Sequence, residues 1–231
     1  MIKLLKRPFV SEKNKQKRIE FAKKHLQDAD YLIDSTIWSD ETTVRKAPKG
    51  TNLTFRVHSS VEKEDFPFNY QIQMGGFSVM FWGCVSVCGI GPLVALEGSQ
   101  NQHTYCEMLK NYFLPEFNAA KQLYGIDFVF MQDNAPCHKT RKIKDFLEKN
   151  GIPTLEWPPQ SPYMNPIENI WNIIKTRRWK KYGMPSTRNE LINQIFEIWD
   201  NLEIEVVENC IVNMERRLME VIKMKGRATK Y

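Results

Sequence analysis

Short apolar runs alternate with amphipathic stretches along this chain, and their order sets the expected architecture. Phe77 to Val87 is the strongest strand: Val79 and Phe81 interleave with Met80 and Trp82, so both faces are apolar and burial is expected. Cys88-Gly89-Ile90-Gly91 then reads as a turn, with Pro92 to Leu96 returning as a hairpin partner. Upstream, Tyr31 to Ser39 reads as a first strand that delivers Asp40. The segment 45–76, rich in Pro, Gly, Lys and Asn, holds a strand at Leu53 to Val57 and an acidic patch from Glu62 to Asp65. Thr104 to Tyr124 places Tyr105, Met108, Leu109, Tyr112 and Phe113 on one side of a helix, with Pro115 marking a break or a second short helix. Phe128 to Met131 is a buried strand that ends just before Asp133. Lys139 to Lys149 is an amphipathic helix closed by Asn150-Gly151, and Thr154 to Trp157 is a short fifth strand.

Pro158, Pro159 and Pro162 stiffen the approach to a further helix. Asn165 suits its N-cap and Pro166 its first position, which puts Glu168 in the first turn. That helix buries Ile167, Ile170, Trp171 and Ile174, while Glu168, Asn172 and Lys175 share another face. Helical stretches at Thr187 to Trp199 and Glu205 to Lys223 follow. At the other end, Ser11 caps a helix whose partial apolar stripe is Ile19, Phe21, Ala22 and Leu26. The order βββαβαβα fits an α/β, ribonuclease-H-like fold: a mixed five-stranded sheet flanked by helices, with extra C-terminal helices. In such a sheet the first and fourth strands are neighbours. Asp40 is then expected beside Asp133, with Glu168 laid over both.

Bulk properties narrow the class of protein. With 42% hydrophobic and 26% charged residues, a chain of 231 residues makes one ordinary globular core. No apolar run approaches the roughly 18 residues of a membrane span, and the N-terminus lacks a signal-peptide apolar region. Five cysteines without a CxxC pair argue against a disulfide scaffold, and Cys137-His138 has no second pair at zinc spacing. The net charge of +6 is unevenly placed: residues 1–24 hold nine basic and two acidic residues, a local +7, leaving −1 for the rest. An arm of Lys3, Lys6, Arg7, Lys13, Lys15, Lys17 and Arg18 suits the phosphates of a nucleic acid, gripped without sequence reading. Arg177, Arg178, Lys180 and Lys181 form a second basic cluster.

Two strand-associated aspartates and a helix-borne glutamate suit a pair of hard divalent cations, because Mg²⁺ takes carboxylate oxygens and keeps waters and phosphate oxygens as its other ligands. Two such ions, about 3.5–4 Å apart, activate the attacking oxygen and stabilise the leaving one at a phosphodiester. Local pattern alone also fits other roles: Asn165-Pro-Ile-Glu168 matches a capping box, and Asp40 and Asp133 suit turns. Glu41, next to Asp40, points to the other strand face and reads as a bystander.

The segments Trp38-Ser-Asp40-Glu41, Gln132-Asp133-Asn-Ala-Pro-Cys-His138 and Ser161-Pro-Tyr-Met-Asn-Pro-Ile-Glu168-Asn-Ile-Trp171 resemble the catalytic domain of mariner-superfamily cut-and-paste DNA transposases, in the branch whose third acid is Glu. So do Phe77-Ser-Val-Met-Phe-Trp-Gly-Cys-Val-Ser and Gly91-Pro-Leu-Val, and 34 residues separate Asp133 from Glu168 as in that branch. The resemblance implies that Asp40, Asp133 and Glu168 are the catalytic metal ligands for two Mg²⁺ ions, with Mn²⁺ as a substitute. It implies that water nicks DNA at an element's ends and that the freed 3′-hydroxyl attacks target DNA, in the nucleus, with the protein a homodimer on its DNA. Asn134 and His138 match family positions near the site, while Asn172, Lys175 and the two basic clusters become candidate DNA contacts. Residues 1–30 match a linker arm and helix, 31–231 the catalytic domain, 45–76 a loop reaching a partner subunit, and 186–231 C-terminal helices. In the family a helix-turn-helix region precedes the linker, so the chain is expected to be a truncated copy, a partial gene or an excised domain. Tyr163 stands where the family usually has Asp, which supports the rival reading of a non-enzymatic DNA-binding remnant. A related ribonuclease-H-like nuclease is the other rival.

Overall fold

The computed structural model describes residues 10–46 and 76–229. The strand expected at Leu53 to Val57, the acidic patch, and Lys3, Lys6 and Arg7 lie outside those residues. Four strands form one sheet in the order β3-β2-β1-β4: β1 (Thr36–Arg45), β2 (Ser78–Ser86), β3 (Gly89–Leu96) and β4 (Val129–Met131). β1, β2 and β3 pair antiparallel, and β4 joins β1 in parallel with Trp38 opposite Met131. The neighbouring first and fourth strands are as the element order implies.

Helices cover both faces. Strand alternation sends Trp38, Val79, Phe81 and Met131 to one side, where α6 (Ile167–Tyr182), α7 (Arg188–Asp200), α8 (Ile204–Ile211) and α9 (Met214–Lys223) pack. Ile37, Trp82, Val94 and Phe130 face the other side, under α3 (Gln102–Met108), α4 (Leu114–Tyr124) and α5 (Arg141–Lys149). α1 (Glu12–Leu26) docks on α9 and buries Arg18, Phe21 and Ala22, at positions one helical turn apart.

Three expectations need correction, and the break expected at Pro115 takes a specific form. Tyr31 to Ser39 is not one strand: α2 (Ala29–Ser35) runs to Ser35, whose hydroxyl donates to the Tyr31 carbonyl at 2.6 Å. Short apolar runs do not separate strand from helix, and this one splits. Asp40 consequently lies in the middle of β1 and not past its end. The fifth strand shrinks to a single bridge between Phe130 and Thr154, since Pro153 at its start and Pro158-Pro159 beyond it cannot donate to a ladder. The helix at Thr104 to Tyr124 carries a π turn, Leu109–Phe113, just ahead of Pro115. A proline ring clashes with the carbonyl four residues back, and the wider turn accommodates it. Finally, Glu205 to Lys223 is two helices, α8 and α9, separated at Val212-Asn213.

Candidate active site

Asp40 and Asp133 owe their proximity to strand register. Trp38 and Met131 are partners across β1 and β4, and each aspartate follows two residues later, Asp40 still within β1 and Asp133 just past the end of β4. The Ser39 hydroxyl ties the two segments by donating to the Met131 carbonyl at 2.8 Å. Helix α6 is pinned to the same place: the Asn165 side-chain amide donates to the Ser39 carbonyl at 3.1 Å, and its oxygen accepts from the Ile167 N–H at 3.4 Å. The N-cap is Pro166, one residue later than expected, but Asn165 accepts from the first helical N–H and so fastens the start of α6 beside Asp40. The Asn165 N–H itself donates to the Pro162 carbonyl, so it is not available to the Glu168 carboxylate as a capping box requires.

Asp40, Asp133 and Glu168 line one cleft of about 450 Å³, walled by Trp157, Pro158 and Gln160. Asp40 accepts from the Glu41 N–H through Oδ1 at 2.8 Å, and Asp133 accepts from the Ala135 N–H through Oδ1 at 2.8 Å. Each aspartate therefore keeps its Oδ2 uncommitted among the described residues. Burial, together with Glu168, Glu41 and Asp133, pushes the Asp40 carboxyl up to about 8. A buried carboxyl whose ionisation burial and the neighbouring acids oppose marks a place short of positive charge, and hard oxygen donors there suit a divalent cation. Lys175 is the nearby cation on α6; burial lowers its pKa, against the opposing pull of Glu168 and Asp40.

His138 is buried and lies between two acids. Its Nδ1 is 2.8 Å from Asp133 Oδ1, a contact short of a straight hydrogen bond, and its Nε2 is 3.4 Å from Glu41 Oε1. Burial alone would lower the imidazolium's pKa, but the two carboxylates raise it to about 10. Asp133 moves the other way: burial raises it, and His138 with the Ala135 N–H more than offsets this, leaving it below its usual value. Glu41, Asp133 and His138 are close enough to share a metal ion. The ring, however, turns a different nitrogen to each carboxylate, which suits an imidazolium bridging two acids. Glu41 is thus no bystander. Strand alternation puts it on the face of β1 away from Asp40, and His138 sits on that face.

The remaining sequence candidates scatter. Asn134 donates to the Trp157 carbonyl at 2.7 Å and so holds the cleft wall. Lys13, Lys17, Asn172 and Lys180 are exposed. Lys15 pairs with Glu12, Arg177 with Glu203 and Lys181 with Glu197. Arg178 is buried and donates to the Gly183 carbonyl at 2.8 Å, closing the end of α6. Arg18 is fully buried, its guanidinium carbon 6.0 Å from the Tyr163 ring centre. Neither of these two arginines reaches a phosphate from where it lies.

A mixed sheet between two helical layers, with one carboxylate on β1, a second just past the end of its neighbour β4 and a third on a helix laid beside them, defines a ribonuclease-H-like nuclease domain. Residues 75–192 match the family described as DDE superfamily endonuclease. Over 230 residues the chain is 34% identical to the Tcb1 transposase of Caenorhabditis briggsae, covering 98% of this chain and 81% of that one. It is 32% identical to the Tc1 transposase of Caenorhabditis elegans, covering 99% and 82%. The crystal structure of the Mos1 mariner transposase catalytic domain superposes with a TM-score of 0.74 at 15% identity, over 98% of this chain and all of that one. The chain belongs to the DDE superfamily endonucleases, among the Tc1/mariner transposases, and is a transposase catalytic domain. The family's activity is metal-dependent cleavage and strand transfer of DNA.

Proposed function

We propose that Asp40, Asp133 and Glu168 jointly hold two Mg²⁺ ions, for which Mn²⁺ substitutes, and that this site cleaves and joins DNA phosphodiesters. The observation that carries the assignment is the shared cleft with its raised Asp40 carboxyl and two free Oδ2 atoms. Mos1 transposase, whose fold this chain shares, has been crystallised with Mg, with Mn, and as a paired-end complex with its left transposon end. Bound at these oxygens, divalent ions supply charge neutralisation and activation of the attacking oxygen. The protein's own part is positional. β1 and β4 fix the spacing of the aspartates, Asn165 fixes the start of α6 and with it Glu168, and Asn134 holds the wall against which the DNA strand lies. Exposed Lys13, Lys17, Asn172 and Lys180, with Lys175 at the cleft, contact the DNA backbone, and the protein works as a homodimer on paired ends.

Nicking of supercoiled plasmid tests this. Parent protein should nick with Mg²⁺ or Mn²⁺ and not with chelator, and Glu168→Gln should abolish nicking without lowering Tm. A Gln variant that nicks at the parent rate would remove Glu168 from the ligand set. Parent protein inert in both metals would favour the non-enzymatic DNA-binding remnant.

A further inference from the structure

We infer that His138 and Glu41 form a positioning pair that fixes the Asp133 carboxylate for metal binding, an inference resting on the ligand assignment of Asp133 above. β4 is three residues long and ends at Met131, so Asp133 stands two residues past the sheet with no ladder to hold it. Its side chain is 46% exposed, and a terminal carboxylate torsion has a broad energy minimum. Something other than the sheet must orient it. Two groups do so on the same oxygen: the Ala135 N–H at 2.8 Å and His138 Nδ1 at 2.8 Å both meet Oδ1. With Oδ1 occupied twice, Oδ2 is the atom left for a cation.

His138 is itself held from two further sides. Its ring stacks on Tyr105 with centroids 3.9 Å apart and planes 28° apart. The Tyr105 hydroxyl donates to the Gln132 side chain at 2.9 Å, one residue from Asp133. Glu41 Oε1 faces the far nitrogen at 3.4 Å, which sets the ring's orientation and keeps Nδ1 turned towards Asp133. Glu41 follows Asp40 on β1, and alternation sends the two to opposite faces. One strand thus supplies a metal ligand on one face and, through His138, the support of the second ligand on the other. Supporting groups of this kind change metal affinity by about 10–100-fold when removed.

The test uses three variants of the full chain, Mn²⁺ binding followed by the loss of the free-ion electron paramagnetic resonance signal, and Tm. Asp133→Asn reports on the ligand assignment alone and should abolish tight Mn²⁺ binding. His138→Leu removes the support and should weaken Mn²⁺ binding about 10–100-fold. His138→Asn keeps a donor near the Nδ1 position and should bind Mn²⁺ much closer to parent strength, although it loses the stack on Tyr105. A ring needed only for packing gives a different pattern: Leu and Asn variants lose Tm without separating in metal affinity, and that result overturns the inference. If Asp133→Asn binds Mn²⁺ like the parent, the ligand assignment itself falls and takes the inference with it.

Discussion

Arg18 shows at the scale of one residue how position outranks type. In sequence it extends a basic arm, and a cation in such an arm reads as a phosphate contact. In the structure Arg18, Phe21 and Ala22 form the buried face of α1, and the guanidinium nitrogens find no hydrogen-bond partner among the described residues. Burial lowers its pKa, and Tyr163 is the nearby group that opposes this. The helical spacing of Arg18 with Phe21 and Ala22 was visible in the sequence and is the signal that separates it from Lys13 and Lys17. Leaving a buried donor unpaired costs about 1–3 kcal/mol, and more when it is charged. Arg18→Met should therefore stabilise the protein, raising Tm by about 2–4 °C per kcal/mol recovered. Thermal denaturation checks it, and a lower Tm would show that the Tyr163 contact matters more than the missing partners. Asp40 gives the second prediction at this scale. Its folded pKa of about 8 lies far above the ordinary 3.8, so between those values the native state binds more protons than the unfolded chain. Stability of the metal-free protein should then fall as pH rises through that interval. His138, raised to about 10 from 6.5, acts in the same direction at higher pH. Mg²⁺ must displace the Asp40 proton, so the rise in Tm that Mg²⁺ produces should grow from pH 6 to pH 8. Asp40→Asn should abolish that growth.

At the scale of the element, α6 matters most, because it carries Glu168 and is fixed at both ends. Its start is tied to β1 through Asn165, and its middle rests on Trp171, which stacks on Trp199 with ring centres 5.2 Å apart. Beneath that pair lies Gly83, the β2 residue opposite Asp40, where an added Cβ would sit 2.8 Å from Trp171 and 2.9 Å from Trp199. Gly83→Ala must push the indoles and with them α6. Overpacking of this kind costs about 1–3 kcal/mol, and the nicking rate should fall further than the folded fraction does. Nicking in proportion to folded protein would mean that α6 is less coupled to Glu168 than its packing implies. The elements that were legible in sequence share one property: they are long or strongly periodic, as β2, α5, α6 and α7 are. Those misread turn on local detail. Tyr31 to Ser35 has too few residues for a period to declare itself, and the fifth strand is hemmed by prolines. That Asp40, Asp133 and Glu168 meet in one cleft was readable because ordered motifs surround each of them. The link between Glu41 and His138 was not, since it spans 97 positions of sequence and depends on which strand face each side chain takes.

Across the whole molecule, charge and cleft divide the work. Among the candidate DNA contacts, exposed Lys13 and Lys17 lie on α1 and exposed Lys180 near the end of α6, and cations that meet phosphates read no particular base. DNA binding by this chain should accordingly be nearly independent of sequence and steeply salt-dependent. A hundredfold preference for one duplex that survives high salt would contradict this. α1 belongs to the catalytic body: it docks on α9, and Phe21 meets Trp157 edge-on at 5.2 Å on the wall of the cleft. A DNA backbone met by Lys13 and Lys17 would thereby be linked by packed side chains to the cleft wall. Whether those acids hold metal decides the account. The most direct measurement is a crystal of the protein soaked in Mn²⁺ and read by anomalous scattering. The account predicts density within about 2.1 Å of oxygens of Asp40, Asp133 and Glu168, with His138 still in place behind Asp133. Density beside Glu41 and His138, with none between Asp40 and Glu168, would contradict it.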